Sequence, residues 1–286
     1  MKYFCSLSDS KYLSQGLCLF DSLLETVDDD FVLYYLCLDE DTYQRMQSHS
    51  PLIKPIRLSK LEDRFYSLGR YKNKKPYNEY CWALASTFCY YLLDTLNVPE
   101  VLYIDSDIYF YKDPQIIFDE LGAKSVGIIR HRHNTKDSPD GEYNVGIVYF
   151  RNNEFGKGCL KWWNDAIIDE KYPELQTCGD QKYLERFIPL FGEESVCVLD
   201  KTFAHGAPWN FRLYVYDEYH KDGNIIWGDK EQPLVFNHFS RLSYDDSGIS
   251  PTSGMYADHT LNFGVFQIPV VKQFYIDYVT RLKEYK

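Results

Sequence analysis

Glycine is missing from the one place where a triphosphate-wrapping loop would need it. The first glycine of the chain is Gly16, within a stretch of helical spacing, so no Gly-rich turn follows the first strand. That weighs against a sugar nucleotidyltransferase, whose backbone amides must wrap phosphate oxygens closely. Cys-x-x-Cys pairs are also missing. The eight cysteines (positions 5, 18, 37, 81, 89, 159, 178 and 197) are scattered, most in apolar surroundings such as Phe4-Cys5 and Leu36-Cys37-Leu38. Such a pattern excludes a zinc ribbon or a disulfide framework and implies reduced, buried thiols in a cytosolic protein. Positive charge is in deficit: Lys and Arg number 31 against 42 Asp and Glu, a formal net charge of −11. A nucleic-acid partner would need the opposite balance. Long hydrophobic runs are absent as well. The most apolar stretch, Tyr80 to Leu93, is broken by Ser86 and Thr87 and is too short to span a bilayer. Met1-Lys-Tyr-Phe-Cys5 runs straight into a strand, which predicts no signal peptide. No internal repeat, low-complexity tract or long linker divides the 286 residues, so a single large domain is expected.

Aromatic residues are plentiful, at 17% with 26 Tyr. Tyrosine carries apolar area with a polar tip, which suits a wet, sugar-facing cleft as well as an ordinary core. Strand and helix patterns alternate from the start. Lys2–Leu7, Phe31–Cys37 and Leu52–Leu58 read as strands, with helices at about 13–24 and 39–46 between them. This βαβ order predicts an α/β fold with a mixed, mostly parallel central sheet flanked by helices. Asn78–Asn97 predicts a buried helix, and Ala123–Arg130 and Val145–Phe150 two further strands. The basic stretch 64–75 (Arg64, Arg70, Lys72, Lys74, Lys75) reads as a solvated loop or as a patch facing phosphate or an anionic membrane. Near the C-terminus, about 269–285, Val271, Phe274, Tyr275, Tyr278, Val279 and Leu282 share one helix face. Taken as its own segment, 268–286, this helix docks on the 1–267 domain or on a membrane or partner surface.

The stretch Val101–Phe110 carries the chemistry. An apolar run ends in Asp105-Ser-Asp107. Paired carboxylates at a strand's exit suit a hard divalent cation, and in open α/β sheets ligands bind beyond the strands' carboxyl ends. An Asx turn, with both aspartates capping local amides, is the plain structural reading.

Four features occur in order: the strand and turn at residues 3–9, Asp105-Ser-Asp107, Asn144-Val-Gly146 opening a strand, and Gly179-Asp180-Gln181 opening a helix, with His238 following. This set resembles the GT-A fold (Rossmann-like) nucleotide-sugar glycosyltransferases, in particular the retaining family of glycogenin and the bacterial lipopolysaccharide galactosyl- and glucosyltransferases. The resemblance covers about residues 3–245. It implies a single-domain enzyme moving a hexose from a nucleotide-diphosphate sugar, UDP-linked, to a glycan or lipid-linked acceptor in surface-polysaccharide biosynthesis. The thiol pattern places the protein in the cytoplasm, and the basic stretch 64–75 and the C-terminal helix are where it would meet the membrane's inner face peripherally. Asp105, Asp107 and His238 would ligate Mn²⁺ or Mg²⁺. Ser6, Leu7, Ser8, Asp9, Asp105, Ser106, Asn144, Gly146 and Arg241 would meet the donor, with Gly146 letting backbone approach the sugar. Asp180 and Gln181 would be catalytic, and Trp209 and Asn210, in Pro208-Trp-Asn210, would face the acceptor.

The plain alternatives are an N-cap for Asp180, a core imidazole for His238 and a buried indole for Trp209. Two departures are visible. The helix before the Asp-x-Asp strand lacks the family's usual Arg, with Tyr80, Trp82 and Ser86 nearest its place. The His-x-x-Gly-x-x-Lys clamp is reduced to His238-Phe-Ser-Arg241. Rival readings are a haloacid-dehalogenase-type phosphatase, in which Thr or Val would normally follow the second Asp where Ile108 stands, and a non-catalytic nucleotide-sugar binder.

Overall fold

The computed structural model describes residues 1–132, 141–199, 201–216, 224–227, 229–246, 248–250 and 265–286. The alternating pattern of the first sixty residues folds as read. Lys2–Ser8 is β1, Leu13–Thr26 α1, Phe31–Cys37 β2, Glu40–His49 α2 and Ile53–Arg57 β3. Pro55 sits in β3 at an edge of the sheet, the one place where a residue without an N–H is tolerated.

The basic stretch is not a loop. Leu58–Arg64 (α3) and Tyr66–Lys74 (α4) are short helices held down by buried Leu61, Leu68 and Tyr71. Arg64 pairs with Asp94, Lys72 with Glu62 and Lys75 with Glu170, so much of the charge is matched on the protein's own surface. Tyr77–Asp94 (α5) is buried on nearly all sides, as its apolar composition requires. Glu100–Ile104 (β4) then ends at Asp105. The apolar residues beyond it, Ile108–Phe110 (β5), belong to a second sheet, a division that the continuous run conceals.

There follow Gln115–Leu121 (α6), Val126–Arg130 (β6), Tyr143–Arg151 (β7), Glu154–Ile168 (α7), Phe187–Phe191 (α8), Val196–Leu199 (β8), Ala204–Gly206 (β9), Asn224–Trp227 (β10), Lys230–His238 (β11) and Pro269–Lys283 (α9). Most of the polar loop expected at 131–142 falls outside the described residues.

The large sheet runs β3-β2-β1-β4-β7-β6-β8, and only β7 is antiparallel to its neighbours. Strand alternation splits its core. Cys5, Val101 and Tyr103 face the layer of α5 and α7, whereas Phe4, Leu102 and Ile104 face that of α1, α2 and α6. In β7 this parity slips: pairing with β6 jumps from Ile128–Val148 to Ile129–Asn144, a bulge that re-aims Asn144 at the strand's start.

The small sheet centres on β11, antiparallel to β5 and parallel to β9. Helix α9 packs against it with Val271, Phe274, Tyr275, Tyr278, Val279 and Leu282 all buried, so its apolar face is turned to the protein. Seven cysteines are free thiols, six of them buried; Cys5 and Cys89 face each other with sulfurs 3.7 Å apart. The side chain of Cys178 lies outside the described set.

Candidate active site

Parallel strands deliver their carboxyl ends to one side of the sheet. There the ends of β1, β4 and β6 meet the start of antiparallel β7 around a cleft of about 620 Å³. Its lining includes Leu7, Ser8 and Asp9 from the β1 exit, Asp105, Ser106 and Asp107 beyond β4, Asn144, Asp180, Gln181, Trp209, His238 and Arg241.

The register of the small sheet assembles the acidic centre. β11 pairs His238 with Ile108, the residue after Asp107, and the Phe239 N–H donates to the Asp107 carbonyl at 2.9 Å. His238 Nε2 therefore stands 3.0 Å from Asp107 Oδ1 and 3.7 Å from Asp105 Oδ2. One ligand atom from each of the three lies within 4.8 Å of the others. Neither carboxylate accepts a described backbone amide, so the Asx-turn reading fails; Asp105 Oδ1 instead accepts from the Tyr103 hydroxyl at 2.8 Å.

Electrostatics follow from this crowding. Burial and the Asp107 charge raise the Asp105 carboxyl above its ordinary range, against the opposing pull of His238. Burial alone would lower the His238 imidazole, yet the two carboxylates outweigh it and its pKa is raised. Two carboxylate oxygens and one imidazole nitrogen, converging with little competing hydrogen bonding, fit a divalent ion of the Mn²⁺ or Mg²⁺ type.

Asp180 sits before a 3-10 turn, Gln181–Arg186, and makes no side-chain cap to it, so capping does not account for its placement. It is buried, and both burial and the nearby Asp105 charge hold its carboxyl well above the usual range. Asn144 organises the same wall. Its Oδ1 accepts the Gly146 N–H at 2.7 Å, and its Nδ2 lies 3.1 Å from His131 Nε2 and 3.4 Å from Gln181 Oε1.

Three of the expected site residues stand outside the cleft wall. Ser6 is wholly buried and absent from the cleft wall; it shares a side of β1 with Ser8 but lies two residues deeper in the sheet, short of the opening. Asn210 is also fully buried; it accepts the Ala207 N–H and donates to the His131 carbonyl, bracing a loop rather than facing the cleft. Gly146 is not itself in the wall. A Cβ there would come within 2.8 Å of His238 Nδ1 and 2.5 Å of Asn144 Oδ1, so its bareness makes room for those two side chains.

Trp209 does line the cleft, with its ring edge-on to His238 and its Nε1 donating to the His131 carbonyl at 2.9 Å. Sequence reasoning passed over His131, Tyr12, Tyr77 and the Tyr103 hydroxyl, all in the wall. Tyr103 was recoverable: two residues before Asp105, it shares that residue's side of the strand. Of the three side chains nearest the missing Arg, only Trp82 lines the cleft. Tyr80 bonds Glu62, and Ser86 donates to the Ala83 carbonyl.

No protein-family model matches the chain. Among curated proteins, the uncharacterized protein YfnF of Bacillus subtilis (strain 168) is 32% identical over 251 residues, 83% of this chain and 80% of YfnF. The uncharacterized protein YfnD of the same organism is 30% identical over 223 residues, 74% of this chain and 69% of YfnD. Among solved structures, the galactosyltransferase LgtC with donor and acceptor sugar analogs superposes with a TM-score of 0.52. The identity is 14%, over 83% of this chain and 87% of that one. Mouse xyloside xylosyltransferase 1 in its apo form gives 0.51 at 12% identity, over 72% of this chain and 87% of its own. Both of these structures are GT-A glycosyltransferases. The chain belongs to the family of YfnF and YfnD, and its architecture is the GT-A fold.

Proposed function

We propose that the protein is a metal-dependent glycosyltransferase. It moves a hexose from a UDP-sugar to a hydroxyl of a glycan or lipid-linked acceptor in surface-polysaccharide assembly. The observation that carries this reading is the meeting of Asp105, Asp107 and His238 with Asp180, Gln181 and Asn144 in one cleft at the strand ends.

The reaction breaks the bond between the anomeric carbon and the diphosphate oxygen and forms one to the acceptor oxygen, whose proton is released. Its chief electrostatic demand is negative charge building on the leaving diphosphate. A divalent ion held by Asp105, Asp107 and His238 would supply Lewis-acid neutralisation of that charge. Arg241 and Lys11, both in the cleft wall, bring further positive charge to the same opening. Asp9, at the β1 exit, takes the nucleoside. Its Oδ2 accepts from the Tyr77 hydroxyl at 3.2 Å and its Oδ1 caps the Lys11 amide, so the carboxylate is fixed in orientation. On the opposite wall, Asn144 fixes the amide of Gln181 beside Asp180, where sugar hydroxyls and the anomeric carbon would lie.

Purified protein mixed with UDP-hexoses and Mn²⁺ should release UDP, and chelator should abolish the release. Orthophosphate release would instead indicate a phosphatase, pyrophosphate release a nucleotidyltransferase, and UDP-sugar binding without turnover a non-catalytic binder.

A further inference from the structure

Helix α5 runs along the cleft. Asn78, Cys81, Trp82 and Ala85 line the opening, while Ala83, Leu84, Thr87 and Phe88 are buried behind them. The spacing is that of one helix face. Its first two turns meet different parts of the site. Tyr77 reaches Asp9 at the nucleoside end through its hydroxyl. Five residues on, about 7.5 Å along the axis, the Trp82 indole lies against Gly179, next to Asp180.

That second contact is unusually close. Gly179 has φ +66°, and a Cβ on it would fall 2.6 Å from Trp82 Cε3, so both its backbone angle and its bareness allow the ring to approach. The indole is nonetheless 39% exposed, whereas Trp163 and Trp209 are buried at 0% and 6%. An apolar surface is thus left partly open to water in a cleft also lined by the carboxyl and amides of Asp180, Gln181 and Asn144. That pairing matches the two sides of a pyranose ring: a C–H face that covers an aromatic surface, and hydroxyls that bond to Asp180, Gln181 and Asn144.

We infer that Trp82 is the stacking platform for the donor's sugar ring, and that the subsite it forms with Asp180 and Gln181 selects a neutral hexopyranose over a uronic acid. The inference rests on the glycosyltransferase reading and adds to it the class of sugar. A carboxylate on the sugar would enter a cleft already lined by Asp105, Asp107 and Asp180, where desolvation and like charge both oppose it.

The test compares the wild-type chain with Trp82→Ala and Trp82→Phe. UDP release is followed from UDP-glucose, UDP-galactose and UDP-glucuronate with Mn²⁺, and binding of UDP alone is measured by calorimetry. Trp82→Ala should raise KM for the neutral donor by about two- to twelvefold, the scale of one lost aromatic stack. Its affinity for UDP, which lacks the transferred hexose, should stay within about twofold, and Trp82→Phe should restore most of the loss. Wild-type turnover of UDP-glucuronate should lie at least tenfold below that of the better neutral donor.

Equal loss of UDP and UDP-sugar binding in Trp82→Ala would overturn the platform, as would an unchanged KM. Equal use of UDP-glucuronate would overturn the selectivity. If the wild-type chain neither binds UDP nor releases it from any donor, the glycosyltransferase reading itself fails, an outcome visible before any variant is made.

Discussion

Gly146→Ala is the sharpest perturbation available, because one methyl group addresses the whole site. Gly146 accepts the Asp105 N–H at 2.9 Å, donates to Asn144 and backs onto the His238 ring. The added Cβ would fall 2.8 Å from His238 Nδ1, where ordinary contact begins near 3.4 Å. The imidazole must therefore retreat by about 0.6 Å, and rigid neighbours leave the backbone little room to share the movement. Metal–ligand distances tolerate about 0.2 Å, so His238 would no longer close on the same ion as Asp105 and Asp107. Mn²⁺ affinity should fall about 10- to 100-fold, and overpacking should lower stability by about 1–3 kcal/mol. Titration of Mn²⁺ by electron paramagnetic resonance reads the first quantity and denaturant unfolding the second. Gly69→Ala is the control: nothing lies within 4 Å of its Cβ position in α4. That change should stabilise by about 0.5–1 kcal/mol and leave Mn²⁺ binding alone. A Gly146→Ala protein that binds Mn²⁺ as the wild type does would refute the packing reasoning and the shared cluster together.

Three further outcomes are expected. Asp107→Ala should lower turnover by several orders of magnitude while the unfolding transition persists, and a chelator should reproduce the loss in the wild type; activity surviving both would remove the metal role. Asp180→Asn should stabilise the metal-free protein at neutral pH. The folded carboxyl binds its proton more tightly than the unfolded one, so wild-type stability falls as pH rises from the ordinary range near 4 towards the raised value. The gain should vanish in melts taken below about pH 4, and a pH-independent difference would contradict the assignment. Tyr278→Ala should cost about 3–5 kcal/mol in denaturant unfolding, since its ring is buried and stacks on Phe239 at 4.0 Å. An unfolding midpoint shared with the wild type would show that α9 contributes little to the fold.

The parallel sheet and the acidic pair were legible in the sequence because they rest on local order: apolar runs of strand length, and carboxylates where a run stops. His238 was legible only through the order of motifs, since a histidine between Phe236 and Phe239 carries no signal of the strand pairing that sets it opposite Ile108. Gly146 was singled out for close approach, and the neighbours the structure sets against it are Asn144 and His238. A glycine announces close approach but not what approaches. Ser6 and Asn210 stand outside the cleft wall because a motif names a neighbourhood, whereas depth along the strand and loop bracing decide which side chains reach the opening. Trp82 and His131 were obscured differently: the face a buried helix turns to a cleft, and the turn taken by the residue just past a strand's end, are fixed by tertiary packing. Helices α3 and α4 were missed because few apolar residues pin them amid many charges, which dilutes the periodic signal.

Helix α9 touches both strands that carry the acidic centre. Its Tyr278 packs against Tyr109, just past Asp107, and against Phe239, just past His238. During synthesis, residues 269–283 emerge after every ligand has already been made. A chain halted before them would own Asp105, Asp107 and His238 yet lack the aromatic packing that braces the residues beside them. The register of that cluster should therefore be completed only once helix α9 has docked.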